Sequence, residues 1–325
     1  MSLLITGGLG YIGSHIAKIS KRKKLVIIDN QSNSNLKYKK IFPKANIIVD
    51  DVNLKSLNKI FNKFNIKEVI HCAGLKSVNL SIKNPLKYYR NNVNTTLDLL
   101  ESMEKFNINK LVFSSSATVY GNSYKSPLRE NLDTIAINPY GETKIINEEL
   151  IKNFCRANNN FCAMILRYFN PIGAHKSGKL SDNPLGSPQN LMPLIIRSIE
   201  RNQYLEIFGN NYKTPDKTCV RDYIHVVDLA EAHLVSLNYL KEKSGFHLFN
   251  VGLGKGISVL DLIKIFEKTN NLKIKYKFTK RREGDAAISF ASNKEITKNL
   301  NWFPKLSYEN MCRDAWNAKL FKNLK

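Results

Sequence analysis

Leu3-Leu4-Ile5-Thr6-Gly7-Gly8-Leu9-Gly10-Tyr11-Ile12-Gly13 is the stretch that decides the fold. A short apolar run, closed by glycines and followed by a helical pattern, reads as a buried strand turning tightly into a helix. Gly8, Gly10 and Gly13 fit G-x-G-x-x-G, and Gly7, Gly10 and Gly13 fit G-x-x-G-x-x-G. Such glycines let the backbone approach a pyrophosphate, whose charge then sits at the helix N-terminus. Leu25–Asp29 reads as the next strand, and Asp29 ends it 16 residues after Gly13. A carboxylate there accepts hydrogen bonds from an adenosine ribose and repels a 2′-phosphate, which favours NAD over NADP.

The same alternation continues outward. Residues 46–49, 68–71, 110–114 (running on to Ser116) and 162–167 read as strands, and 11–19, 54–64, 93–106 and 143–154 as helices. Continuous apolar strands separated by helices imply a parallel sheet covered on both faces, a doubly wound Rossmann-type α/β fold. After Arg167 the texture changes: residues 171–191 are rich in Pro, Gly, Ser and Asn, and short strands and helices follow. This predicts an NAD-binding domain over 1–170 plus about 222–252. A smaller substrate-binding α/β lobe, closing over the sheet, covers about 171–221 plus 253–325. Asp228 reads as the cap of a helix over Leu229–Leu240, with Glu231 completing a capping box.

Composition narrows the class. No apolar run in the 325 residues approaches the ~20 needed to span a membrane. The N-terminus lacks a secretory pattern. The formal charge is +23, but only 11 of the 50 basic residues are Arg, and the densest runs, Lys21–Lys24 and Lys37–Lys40, are short, with Tyr38 the single aromatic in them. The excess reads as AT-rich drift over solvated faces, with no nucleic-acid or membrane partner, and as a field that steers small anions. Five cysteines (Cys72, Cys155, Cys162, Cys219, Cys312), with no C-x-x-C pair, suggest neither disulfides nor a metal site. Reduced thiols point to a cytoplasmic protein.

The chemistry lies further on. Leu111–Ser116 reads as a strand running into Ser114-Ser115-Ser116-Ala117-Thr118, and strand C-terminal ends are where doubly wound folds place ligands. Asn138-Pro139-Tyr140-Gly141-Glu142-Thr143-Lys144 puts Tyr140 and Lys144 at i and i+4 on one helix face. A phenol with pKa near ~10 is a poor base. A lysine ammonium and a cationic nicotinamide nearby are expected to lower it by about three units, roughly 4 kcal/mol of differential electrostatics. Tyr140 then takes a proton from an alcohol as hydride leaves for the cofactor, and Ser116 hydrogen-bonds the same oxygen.

Together these features resemble the short-chain dehydrogenase/reductase superfamily in its extended, nucleotide-sugar-modifying branch. TGGLGYIGSH, IIDNQSNS, CAGLK, PLKYYRNNVNTT, FSSSATVYG, NPYGETK, LRYFNPIGAH, NLMP, FGNNY, VRDYIHVVDLA and RREGD narrow the likeness to the UDP-glucose 4-epimerase family, in one order over residues 3–285. The resemblance implies bound, recycled NAD, oxidation at carbon 4 of a UDP-hexose, rotation of the 4-keto sugar and return of the hydride to its other face. It assigns Tyr140, Lys144 and Ser116 to catalysis. It places Gly7, Gly10, Tyr11, Ile12, Asp29, Asn30, Asn33, Ser34, Asp51, Val52, Cys72, Ala73, Gly74, Lys76, Asn91, Ser114 and Tyr168 at NAD, beside Tyr140 and Lys144. It places Lys76, Ser116, Ala117, Thr118, Phe169, Asn170, Asn190, Leu191, Phe208, Arg221, Tyr223, Arg282, Asp285 and Ser289 at the UDP-sugar, beside Tyr140. It also implies a homodimer through helices 93–106 and 143–154.

Three places depart from the family pattern. The first helix and the loop after Asn35 are short, and Glu206 stands where the family has a small residue near the uracil. Ser289 stands where plain-hexose members carry Tyr, which predicts that UDP-N-acetylglucosamine is accepted too. The competing readings are a 4-reductase, which exchanges its cofactor, and a 4,6-dehydratase, which needs a carboxylate pair after Ser115 where this chain has Ser116-Ala117. A non-catalytic NAD-binding regulator is the reading from another class.

Overall fold

A computed structural model describes residues 2–21, 24–33, 40–122, 124–186, 188–282 and 284–323, the side chains of 322 and 323 excepted. Ser34, and the loop after Asn35 as far as Lys39, lie outside the described residues. The chain divides into two compact units. The first comprises Met1–Gly121, Asp133–Arg167 and Ala230–Phe249, and the second Asn122–Leu132, Tyr168–Leu229 and Asn250–Lys325.

In the first unit, β1 (Ser2–Thr6), α1 (Tyr11–Ile19), β2 (Lys24–Ile28), β3 (Asn46–Ile48), α2 (Leu54–Lys63) and β4 (Ile66–His71) alternate as their patterns predict. Next come α3 (Val78–Lys83), α4 (Pro85–Lys105), β5 (Lys110–Ser116), α5 (Pro139–Ala157) and β6 (Cys162–Tyr168). With β11 (Gly245–Val251) they form a seven-stranded sheet, ordered β11-β6-β5-β4-β1-β2-β3. The pairings of β1 with β2 and β4, β2 with β3, and β4 with β5 are parallel. The order reverses between β1 and β4, the switch point at which such sheets bind ligands. β1 is buried along its length, as a central strand with both faces covered must be. On one side Leu4, Val26, Val69, Leu111, Phe113 and Ile165 pack with Leu57, Ile60, Leu99 and Met103 from the helices.

The second unit contains β7 (Asn170–Ile172), α6 (Leu191–Glu200), β8 (Leu205–Phe208), β9 (Val220–Arg221), β10 (Tyr223–His225) and the start of α7 (Val226–Tyr239). It continues with β12 (Ile257–Ser258), α8 (Val259–Asn270), β13 (Tyr276–Thr279), β14 (Ile288–Ser289), α9 (Lys294–Leu300) and α10 (Tyr308–Asn323). Its sheets are small: β7 with β10, β8 with β13, and β9 between β12 and β14. Leu262, Ile263 and Phe266 of α8 pack with Met311, Cys312 and Ala315 of α10 over Ile195 and Ile207.

Several expectations are corrected. The helix expected from Val93 begins at Pro85, because Pro serves as its first residue and the polar-looking Tyr88 and Asn92 are buried. Asp228 is not an N-cap. The helix begins at Val226, the Val227 N–H donates to His225 Nδ1 (3.1 Å), and Asp228 accepts the N–H groups of Lys305 and Leu306. Residues 122–132 group with the second unit, where the Leu128 N–H donates to the Phe290 carbonyl and Glu130 accepts the Asn250 N–H. The five cysteines are free thiols. Among the described residues no helix is long and apolar enough to cross a membrane.

Candidate active site

The glycine turn is tight because nothing larger fits. Gly7 has φ +64°, and a Cβ there would lie 2.7 Å from the Ala73 nitrogen; one at Gly13 would lie 2.3 Å from the Gly7 carbonyl oxygen. Gly10 bounds α1 with no side chain to cap it, and the first turn of α1 carries no acidic residue. Helix N–H groups with no competing carboxylate fit a pyrophosphate. Asp29 is buried at the end of β2 and accepts the Leu9 N–H (3.0 Å) and the Gln31 N–H (2.7 Å), which ties the turn to the strand. Asn30 Nδ2 donates to Asp51 Oδ1 (2.7 Å), Val52 is buried beside it in sequence, and Asn33 is exposed. These residues fit a dinucleotide.

At the C-terminal end of β4, the Ala73 N–H donates to Thr6 Oγ1 (3.3 Å) and Cys72 Sγ lies 3.2 Å from Ser114 Oγ. Burial pushes the Cys72 thiol up to about 11, which keeps it neutral. Leu75, which follows Gly74, is held by Asn92, whose Oδ1 accepts the Leu75 N–H (2.7 Å) and whose Nδ2 donates to Thr143 Oγ1 (3.0 Å). Lys76 lies 5.9 Å from the Tyr11 ring centre, Ile12 stands in the first turn of α1, and Asn91 is half-buried on α4.

Asn138 caps α5 by accepting the Gly141 N–H (2.9 Å), and Pro139 starts the helix, which sets Tyr140 and Lys144 one turn apart. Tyr140 is buried, and the Ser116 hydroxyl is near enough to hold its pKa down. Ser116 Oγ also accepts from the Thr118 N–H (3.3 Å) and Thr118 Oγ1 (3.0 Å), in the 3₁₀ turn that opens at Ala117. Lys144 Nζ lies 5.9 Å from the Tyr140 ring centre and donates to the Ser114 carbonyl (2.8 Å).

The protein groups on their own act against the lowering expected with a cationic nicotinamide in place. Burial pushes the phenol up to about 12, and the Ser116 hydrogen bond offsets only part of that. Burial also lowers Lys144 to about 8. Unaided, the pair rests as a neutral phenol beside a readily deprotonated amine.

In the second unit, Arg221 Nη1 donates to the carbonyls of Val220 (2.9 Å) and Ala286 (2.7 Å), and Nη2 lies 3.4 Å from Asp285 Oδ1. The Arg282 guanidinium stacks 3.9 Å from the centre of the Phe208 ring. Ser289 pairs in register with Arg221. Asn170 donates through Nδ2 to the Asp222 carbonyl (2.8 Å), Phe169 and Tyr223 are buried, and Tyr168 ends β6 half-buried. Asn190 reaches Asp182 at 3.5 Å and precedes Leu191, the first residue of α6. Glu206 is exposed between buried Leu205 and Ile207, and Lys277 Nζ holds it at 3.1 Å.

Sequence reading missed four buried groups. His233 Nε2 lies 2.8 Å from Ser114 Oγ. Glu148, a helical turn beyond Lys144, binds Arg167 and the Ser115 hydroxyl. Asp222 is fully buried, and burial raises it to about 7 against three backbone N–H donors that lower it. Only Glu148 left a signal, its i+4 spacing from Lys144.

A reversing parallel sheet with a glycine turn, and a Ser/Tyr/Lys set at the end of its fifth strand, define a dinucleotide-dependent enzyme of the short-chain dehydrogenase/reductase class. The sequence profile of the NAD dependent epimerase/dehydratase family matches residues 3–252, and the chain belongs to that family. It is 45% identical to the UDP-glucose 4-epimerase of Dictyostelium discoideum, over 97% of this chain and 94% of that one. The UDP-glucose 4-epimerase of Stenotrophomonas maltophila, solved with NAD and formylated UDP-arabinopyranose, superposes with TM-score 0.96 at 36% identity, covering all of both chains. The UDP-Glc/GlcNAc 4-epimerase of Campylobacter jejuni superposes with TM-score 0.84 at 32% identity, covering 98% of this chain and 99% of that one.

Proposed function

We propose that the chain interconverts UDP-glucose and UDP-galactose by 4-epimerisation, and accepts the N-acetylated UDP-hexoses as well. The observation that carries this is the buried Tyr140 with Lys144 one turn on, its amine 5.9 Å from the phenol ring centre, in a chain of the NAD dependent epimerase/dehydratase family. NAD supplies the hydride acceptor for the first half of the reaction and the donor for the second. Tyr140 takes the proton of the 4-hydroxyl through its phenolic oxygen and later returns it to the carbonyl oxygen of the 4-keto sugar. Ser116 holds that same oxygen. Lys144 supplies positive charge beside the phenol and anchors to β5 through the Ser114 carbonyl. Arg221 and Arg282 suit the pyrophosphate, because a guanidinium forks onto phosphate oxygens. Asn170, Asn190, Leu191, Phe208, Tyr223, Asp285 and Ser289 complete the substrate set, and the glycine turn, Asp29, Asn30, Asn33, Asp51, Val52, Cys72, Ala73, Gly74, Lys76, Asn91, Ser114 and Tyr168 the cofactor set.

The proposed working form is a cytoplasmic homodimer. α4 leaves Leu86 79% exposed and Leu97 44% exposed, and the proposed second copy covers them. The test of function is a coupled assay on the four UDP-sugars, with the bound nucleotide extracted and identified. Retained NAD with no net NADH, and turnover of UDP-galactose, is the expected result. Net cofactor consumption would make the enzyme a reductase, and no turnover of any sugar would sink the reading.

A further inference from the structure

We propose that Asp222 is the positioning residue of the substrate half-site, one buried carboxylate that sets where Asn170, Arg221 and Ser289 stand. The proposal rests on the function argued above.

Asp222 links β9 and β10 and is fully buried. Its backbone N–H donates to the Ser289 carbonyl (3.0 Å), and its carbonyl accepts both the Asn170 N–H (3.1 Å) and Asn170 Nδ2 (2.8 Å). Its side chain reaches in another direction. Oδ1 accepts the Leu253 N–H (2.7 Å), and Oδ2 accepts the N–H groups of Gly254 (3.1 Å) and Ala291 (3.0 Å). Ser289 and Ala291 are thus gripped on both sides of Phe290, one by the main chain and the other by the side chain of the same residue. Arg221, the preceding residue, cannot move without Asp222.

The chemistry argues for placement. A carboxylate taken fully out of water is costly, and it is kept here by three backbone N–H groups that an apolar residue of that size would leave without an acceptor. A carboxyl side chain accepting three N–H groups fixes direction as well as distance, which an apolar contact does not. The neighbouring glycine fits this role. A Cβ on Gly252 would lie 2.4 Å from Asp222 Oδ2 and 2.9 Å from Ala291 Cβ, so that position is empty for the carboxylate's sake.

The test uses the NAD-loaded full chain and two variants, Asp222→Asn and Gly252→Ala. The first replaces an acceptor with an amide that offers donors to donors; the second keeps the charge and crowds it aside. The readouts are KM and kcat for UDP-glucose, the Kd of UDP by calorimetry, and NAD content. KM and the UDP Kd are expected to rise together by about 10- to 100-fold, with kcat within about 3-fold and NAD content unchanged. Unchanged KM and Kd would overturn the proposal. So would kcat and NAD content falling in step with KM, the mark of a general structural role. If Asp222→Asn fails to fold, Gly252→Ala decides by the same criteria. A wild-type chain that binds UDP without turning over UDP-hexoses defeats the functional reading, while the UDP Kd still judges Asp222.

Discussion

Lys144 Nζ donates to the backbone carbonyl of Ser114, while the Ser114 hydroxyl lies 2.8 Å from His233 Nε2 and 3.2 Å from Cys72 Sγ. The amine is therefore held by the strand itself, and burial lowers its pKa to about 8. A buried amine with a lowered pKa disfavours the folded state while it is charged. Stability rises as pH climbs from about 8 toward the ordinary lysine value, where the unfolded chain still binds the proton and the folded one does not. The Tm of the wild type, relative to Lys144→Met, should increase between about pH 7.5 and 9.5. The raised Tyr140 acts in the opposite sense, but only above the ordinary phenol range. Parallel curves in differential scanning calorimetry would show that Lys144 is not the linked group.

Tyr140 and Ser116 separate in their effects. Tyr140→Phe removes the proton carrier and should cost about 10²- to 10⁴-fold in kcat. Ser116→Ala leaves the phenol but removes the hydrogen bond that holds its pKa down, so the base forms less readily. A loss of about 10- to 100-fold is expected, with the rising limb of the pH–rate profile displaced to higher pH. Bound NAD should be retained in both. An unshifted limb for Ser116→Ala would assign the serine to substrate binding alone.

What the sequence made legible was local. The strand–turn–helix of residues 2–19 is dictated by adjacent residues, as is the Tyr140–Lys144 spacing. What it hid depends on distant partners. Asp228 looks like a cap because only its neighbours are visible in sequence; in the fold it serves N–H groups 77 and 78 residues away. Asp222 gathers residues from 52 positions before it to 69 after it, and no short pattern encodes that. The i, i+4 spacing reports that Lys144 is near Tyr140, but not the depth at which both are buried.

Glu148 and Arg167 form a buried ion pair, with Nε 3.1 Å from both carboxylate oxygens and Nη1 donating to the Tyr120 hydroxyl (3.1 Å). Removing one partner strands a buried charge, so Arg167→Met alone should cost about 3–5 kcal/mol. Glu148→Leu with Arg167→Met should recover most of it, because the double change removes both desolvation penalties. Urea denaturation of the two singles and the double completes the cycle. Additive losses would mean the pair does not act as a unit.

Leu97, exposed on α4, gives a test of assembly. Leu97→Glu places a charge on an apolar surface position that contributes nothing to the described core. If a second copy covers it, the variant should sediment as a monomer while its secondary structure stays intact. A dimer that persists would move the interface elsewhere.

Ser289 closes the argument at the sugar. It sits at the end of β14 opposite Arg221 in register, and its carbonyl accepts the Asp222 N–H, so its backbone is fixed and only its side chain is open to change. A tyrosine there adds a ring where a hydroxymethyl stood. If Ser289 walls the sugar site, the ring takes the volume an N-acetyl group needs and leaves room for a hydroxyl. Pocket discrimination by one such group is worth about 1–3 kcal/mol, roughly 10- to 200-fold. Ser289→Tyr should therefore lower kcat/KM for UDP-N-acetylglucosamine by that factor and change UDP-glucose turnover little. Equal losses on both sugars would mean that the ring disturbs Arg221 instead. A wild type inactive on the N-acetylated sugar would show that other walls already exclude it.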